Sequence, residues 1–312
     1  MREIPDGVIS MMVTPMHENE DINFETFYEE IEWCAAQGAK GVVVTPSIGE
    51  FATLTRQERI ECLETCAEYL QEELPDLFRI AMIAATSTAA AKYYAKCALE
   101  LGYDAGQINP PSYWVPGEEN VYRHYAKVAE VSLPLVVYNN PRLSKFDIKP
   151  KLMARLAKLP GVIAVKEVKT DSHVDLEPLF DQVRAANPAV KIYTTYRAFM
   201  NGLMLGCNGA FANVQTTPFC RTMWELAADD PHWTNGHLGR IIAIQRAMNR
   251  TFPRGGEDNP HHVATTKLYA SLVSGIEMGK AREPDDFPPD FPVEKYEREL
   301  REKLPELYEL IK

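Results

Sequence analysis

Two apolar runs end in residues that could do chemistry. Gly161-Val-Ile-Ala-Val closes on Lys166, and Leu135-Val-Val closes on Tyr138. Each run is short and rich in β-branched residues, so each reads as a buried strand. Lysine is almost never fully buried without a partner or a task. An apolar wall disfavours its ammonium form, lowers its pKa and makes the neutral amine available. A neutral amine attacks a ketone to give a Schiff base, and a phenol beside it can supply or take the protons which that route moves. Plainer readings stand beside both: a lysine that snorkels past the strand end to water, and a core tyrosine with a satisfied hydroxyl. Taken alone, the lysine strand fits the plainer reading better; its neighbours along the chain reverse that balance.

Those neighbours are eight buried strands alternating with helices. The strands read as Gly7 to Thr14, Gly41 to Thr45, Phe78 to Ala85, Asp104 to Asn109, Leu133 to Asn139, the lysine strand, Val190 to Thr194 and Gly209 to Asn213. Helical spacing of apolar residues marks the intervals, as in Phe24, Phe27, Ile31 and Cys34 before Gly38. Thr55 with Glu58 makes a capping box, and Asp175 caps a helix from Leu176 to Ala186. The count and the alternation predict an α/β fold, a (β/α)8 TIM barrel over residues 1–218, with a C-terminal helical extension over 219–312. In such a barrel the active site forms at the C-terminal ends of the strands. The residues there are Thr14, then Ser47 and Glu50, Tyr113 and Trp114, Tyr138, Lys166, Tyr196 and Arg197, and Asn213. Arg197 fits a substrate carboxylate or a surface ion pair equally.

Composition excludes other classes. The 312 residues carry a formal charge of −11, which argues against nucleic acid or an anionic membrane as partner. No apolar run reaches membrane-spanning length and no signal peptide is evident, so a cytoplasmic location is expected. The six cysteines are scattered in apolar or helical contexts and read as reduced thiols. Cys62 and Cys66 lack a second pair of ligands nearby. Of the seven histidines, the His261-His262 pair lacks an acidic partner at ligand spacing and His232 and His237 lack a third ligand, so no metal is expected. An imine is itself an electron sink, so no cofactor is expected beyond the covalent imine with Lys166.

The Tyr138-Asn-Asn-Pro141 turn, the Lys166 strand and the Ser47-Ile-Gly-Glu50 loop together resemble the N-acetylneuraminate lyase and dihydrodipicolinate synthase superfamily, over nearly the whole chain. The resemblance implies a class I pyruvate aldolase or related lyase. Lys166 then forms the Schiff base with pyruvate, Tyr138 relays protons, and Ser47 with the Ile48 backbone binds pyruvate's carboxylate. It also implies a homo-oligomer, commonly a tetramer. Departures bear on the second substrate. Pro46 and Ile48 replace a glycine and a hydroxyl residue of the family loop. Leu143 stands where the synthases carry an arginine for a substrate carboxylate, with Arg142 one place early. Pro111 and Ser112 replace paired aromatic residues, and Tyr196 and Arg197 replace the acidic pair of the sialic acid lyases. Lys145-Phe-Asp147 and Gly279-Lys-Ala-Arg-Glu-Pro284 are similar to the benzylidenepyruvate hydratase-aldolase branch, although Asp147 is also a natural helix cap. The expected acceptor is therefore an aromatic or apolar aldehyde, with Tyr113 and Trp114 as a flat wall and Asn213 or Thr170 orienting water or hydroxyl. The alternatives are a 2-keto-3-deoxy sugar acid, a dihydrodipicolinate synthase-like reaction, and a barrel that only senses a ligand.

Overall fold

The computed structural model describes residues 2–168, 173–252 and 259–312. Eight parallel strands close into a barrel in chain order: β1 (Gly7–Met11), β2 (Gly41–Val44), β3 (Phe78–Met82), β4 (Ala105–Ile108), β5 (Leu135–Asn139), β6 (Val162–Glu167), β7 (Lys191–Thr195) and β8 (Gly209–Asn213). The helices are α1 (Phe24–Ala36), α2 (Arg56–Glu72), α3 (Thr88–Glu100), α4 (Glu118–Ala129), α5 (Pro141–Ser144), α6 (Pro150–Ala157), α7 (His173–Ala186) and α8 (Phe199–Met204). Four more follow β8: α9 (Thr217–Asp229), α10 (His237–Thr251), α11 (His262–Ser274) and α12 (Val293–Ile311). This is the (β/α)8 barrel with added C-terminal helices that the strand count predicts. Parallel strands are covered on both faces, which is why they read as nearly unbroken apolar runs.

Several boundaries differ from the sequence reading. The runs ending at Thr14 and Ala85 stop as strands at Met11 and Met82. One residue past each strand the backbone still bonds to its neighbour, the Met12 N–H to the Val43 carbonyl at 3.2 Å and the Ile83 N–H to the Gln107 carbonyl at 3.0 Å. α7 already includes His173, so Asp175 lies within the helix range and not before it. α6 starts at Pro150 with Lys149 at the N-cap, so Asp147 does not cap it either. The expected boundary after residue 218 falls within α9.

By compactness the chain falls into two units. The first joins the segment ending at Asp6 to Phe78–Phe211. It contains β3 to β7. β5 lies beside β6 with Tyr138 opposite Lys166 and Asn139 opposite Glu167, after a one-residue shift in register between Leu135 and Val136. The N-terminal segment is tied to β7: Lys191 Nζ donates to the Ile4 carbonyl at 2.7 Å and Tyr193 Oη to the Pro5 carbonyl at 2.6 Å.

The second unit joins Gly7–Leu77 to Ala212–Lys312. The predicted capping box opens α2: Thr55 Oγ1 accepts from the Glu58 N–H and Glu58 Oε2 from the Thr55 N–H. Gly49 is required by close approach, since a Cβ there would come within 2.7 Å of Pro46 Cδ and 2.8 Å of the Met12 carbonyl oxygen. Among the described residues no helix is long and apolar enough to cross a membrane.

Candidate active site

The first unit brings Lys166 and Tyr138 together. Along β6 the side chains alternate, so Lys166 and Glu167 leave by opposite faces. Lys166 is 1 % exposed. Its Nζ lies 4.0 Å from the centre of the Tyr138 ring and 4.8 Å from that of Phe211. It also donates to Gln107 Oε1 at 3.4 Å. The amine thus rests over the face of the phenol ring. Burial drives the Lys166 pKa well below the usual lysine range, which moves the amine toward its neutral form.

The Tyr138-Asn-Asn-Pro141 turn divides its labour by the same alternation. Tyr138 faces Lys166, and its oxygen accepts a hydrogen bond from Asn140 Nδ2 at 2.7 Å. Asn139 faces away and braces the turn. Its Nδ2 donates to Glu167 Oε2 at 2.8 Å and to Asp147 Oδ1 at 3.2 Å, while its Oδ1 accepts from the Ile148 N–H at 3.0 Å. Asp147, with Lys149 Nζ at 2.6 Å, therefore belongs to this brace. Pro141 then starts α5 in the first helical turn, where its missing N–H costs no hydrogen bond.

The other strand ends of this unit are less uniform. Tyr196 is buried in a short 3₁₀ turn after β7, and the Arg197 guanidinium lies 5.1 Å from the centre of its ring. Tyr113 and Trp114 are 84 % and 83 % exposed, edge to face with each other at 5.8 Å. They form no inward wall within this unit. Tyr113 has φ +77°, in the left-handed region.

In the second unit, Ser47–Gly49 form a 3₁₀ turn after β2 with Ile48 buried. Thr14 Oγ1 donates to the Gly49 carbonyl at 2.7 Å and so fixes that turn. Glu50 is buried and faces the C-terminal segment. Its carboxylate lies 2.6 Å from Lys267 Nζ and accepts from the Arg282 N–H at 2.7 Å. The Arg282 guanidinium in turn grips Glu58 through both nitrogens, at 2.8 and 2.7 Å. The acidic end of the loop motif is thus an anchor, and the Gly279–Pro284 tail is what it holds. Asn213 is buried, and its carbonyl accepts from the Thr216 and Thr217 hydroxyls. Thr170 lies outside the described residues.

Gln107, Asn140 and Lys267 were not among the residues expected from the sequence. Gln107 carried a readable signal, being a polar residue inside an otherwise apolar strand. Lys267 carried a weaker one, a lysine among apolar and hydroxyl residues of a helix. Among the described residues no group of His, Cys, Asp and Glu is placed to hold a metal ion. Burial pushes the Cys62 thiol up to about 12, which keeps it protonated.

Comparison with known proteins gives this geometry its relatives. The family model described as the dihydrodipicolinate synthetase family matches residues 4–252. The 4-hydroxy-tetrahydrodipicolinate synthase of Gluconacetobacter diazotrophicus is 34 % identical over 272 residues, covering 86 % of each chain. That of Rhodospirillum centenum is 30 % identical, over 77 % of this chain and 79 % of its own. Among solved structures, the E. coli K12 prophage protein YagE of the dihydrodipicolinic acid synthase family, in complex with pyruvate, aligns with a TM-score of 0.81 at 20 % identity, over 97 % of this chain and 98 % of its own. Dihydrodipicolinate synthase from Thermotoga maritima aligns with a TM-score of 0.81 at 22 % identity, over 97 % and 99 %. At these identities the structural likeness speaks to the fold.

Proposed function

The chain belongs to the dihydrodipicolinate synthetase family, and from that premise we propose that it is a Schiff-base lyase or synthase that joins pyruvate to an aldehyde, or parts the two, through Lys166. One observation carries the reading: a fully buried lysine, its pKa lowered by burial, packed on the ring of the tyrosine opposite it in the sheet. The amine attacks pyruvate's ketone carbon, and loss of water leaves an iminium. The iminium draws electrons from the neighbouring methyl carbon, which gives up a proton and becomes the nucleophile of an enamine. That carbon bonds to the aldehyde carbon, whose oxygen takes a proton; the lyase direction runs the same steps backward. Tyr138 is the acid–base group. Asn140 Nδ2 donates to its oxygen at 2.7 Å and so fixes the phenol for that role. Ser47 and the Ile48 N–H keep the carboxylate-binding role by motif position, and Tyr196, Arg197 and Asn213 remain proposals for the acceptor side.

The curated relatives favour an acceptor of the kind used by 4-hydroxy-tetrahydrodipicolinate synthases. A second reading, an aromatic aldehyde, retains the departures at Ile48, Leu143, Tyr196 and Arg197 in its favour. Its other support is weakened, because Tyr113 and Trp114 point to solvent. The deciding measurement is kcat/KM with pyruvate and three acceptors: the aldehyde of the synthase reaction, an aromatic aldehyde, and a sugar-derived aldehyde. A clear lead for the aromatic acceptor retires the synthase reading, and the reverse result retires the aromatic one. No product from any acceptor, with no imine to pyruvate, retires both.

Tyr138→Phe keeps the ring on which Lys166 rests and removes only the hydroxyl. It should fold normally and lose about 10²–10⁴-fold in kcat, the usual span of acid–base catalysis. Steady-state kinetics beside a thermal melt checks this. Near-normal turnover would make Tyr138 a packing residue alone.

A further inference from the structure

β4 reads Ala105-Gly-Gln-Ile108, and Gln107 is fully buried in it. Burying a carboxamide is unfavourable unless its polar atoms are met. Here Oε1 accepts from Lys166 Nζ at 3.4 Å and Nε2 approaches Met82 Sδ at 3.4 Å. Its neighbour on the strand is closely packed. A Cβ on Gly106, the preceding residue, would come within 2.7 Å of Ile83 Cδ1 and 2.8 Å of Leu133 Cδ2.

We propose that Gln107 is a positioning residue for imine formation: its carboxamide oxygen receives an N–H of Lys166 and so holds the nitrogen lone pair toward the incoming ketone. The proposal rests on Lys166 being the imine lysine. A neutral primary amine has two N–H bonds and one lone pair, and donating one N–H to a fixed acceptor restricts rotation of the group. In the attack the lone pair forms the C–N bond and the carbonyl π pair moves to oxygen. That oxygen takes a proton while the nitrogen releases one. The C–O bond then breaks with its electron pair as that oxygen takes a second proton, from Tyr138 as acid, and leaves as water, and the nitrogen lone pair closes C=N. The iminium keeps one N–H, and Gln107 Oε1 is the acceptor in place for it.

An amide oxygen suits this position because it accepts without acting as a base. A carboxylate there would hold the ammonium form, and a thioether is only a weak acceptor. On the neighbouring strands Tyr138 and Tyr193 are the titratable groups paired opposite Lys166. β8 offers the Phe211 ring, and Glu167 on β6 itself turns away to Asn139.

The test compares wild type, Gln107→Glu and Gln107→Met. The rate of borohydride trapping of pyruvate on Lys166 is followed from about pH 6 to about pH 10 by peptide mass mapping. Gln107→Glu should trap at least about tenfold more slowly at neutral pH, with its acid limb moved up by about one pH unit or more and the rate recovered on the alkaline side. Gln107→Met should keep its acid limb at or below that of wild type, and trap about tenfold more slowly at every pH. Wild-type rates with unmoved limbs in both variants overturn the proposal. Methionine is close to glutamine in size and suits an apolar strand, so if Gln107→Glu does not fold, the uniform loss in Gln107→Met decides alone. Failure of the wild-type protein itself to trap pyruvate sinks the imine reading instead. The amine is then titrated by acetic anhydride labelling of Lys166, which needs no ketone, and an unmoved limb in Gln107→Glu there overturns the contact as well.

Discussion

Lys166→Ala, treated with pyruvate and borohydride, should gain no mass, whereas the parent protein gains one reduced pyruvyl group on the peptide carrying Lys166. Turnover should fall by more than about 10⁴-fold, beyond the usual reach of acid–base catalysis, because the covalent route itself is gone. Lys166→Arg should fail as fully, since a guanidinium stays protonated and cannot attack a ketone. An adduct on a different lysine, or undiminished turnover in Lys166→Ala, would sink the assignment. Stability should move the other way. The folded-state pKa of Lys166 lies below its unfolded value, so the unfolded chain binds more protons between the two. The penalty from the buried amine is complete below the folded pKa and disappears as pH rises to the unfolded value near 10.5. Lys166→Met removes that penalty. The variant should be more stable than the parent at neutral pH, and within the window between the two pKa values its advantage should shrink by about 1.4 kcal/mol per pH unit. Denaturant melts at several pH values measure it, and a constant advantage would contradict the buried-amine reading.

The largest loss of stability is expected at the anchor of the second unit. Lys267→Met leaves the Glu50 carboxylate buried beside Arg282 without the ammonium that lies 2.6 Å away. Breaking one side of a buried pair typically costs about 3–5 kcal/mol. The double variant Glu50→Gln with Lys267→Met should recover a sizeable part of that loss, because no charge of the pair then remains unmatched. Chemical denaturation of the parent, both single variants and the double variant gives the coupling directly. Additive losses would show that the two side chains act independently.

The barrel was legible because both faces of every strand are covered, which turns each strand into an apolar run that periodicity detects. Lys166 and Tyr138 were legible for a related reason, as polar groups ending such runs. Glu50 was misplaced because its partners, Lys267 and Arg282, lie far along the chain, and local spacing says nothing about a contact of that range. Tyr113 and Trp114 were read as a wall from their composition and their flanking prolines. Composition cannot tell which way a loop turns, and both rings stand exposed. Asp147 has the residue type of a cap, yet the Asn139 amide claimed it.

The register shift between β5 and β6 sets the phase of the site. Leu135 pairs with Val162, but Val136 pairs with Ala164, so Ile163 has no counterpart in the ladder. Tyr138 is three residues beyond Leu135, and Lys166 is four beyond Val162. An unshifted ladder would set Val165 opposite Tyr138 and bring Lys166 level with Asn139, across the pleat from the phenol. Ile163 contributes no reactive atom, yet this supernumerary residue is the spacer that turns two ordinary strands into an amine facing a phenol. Lineages that gain or lose a residue upstream in either strand must restore that offset, or the two groups fall out of step while the barrel still closes.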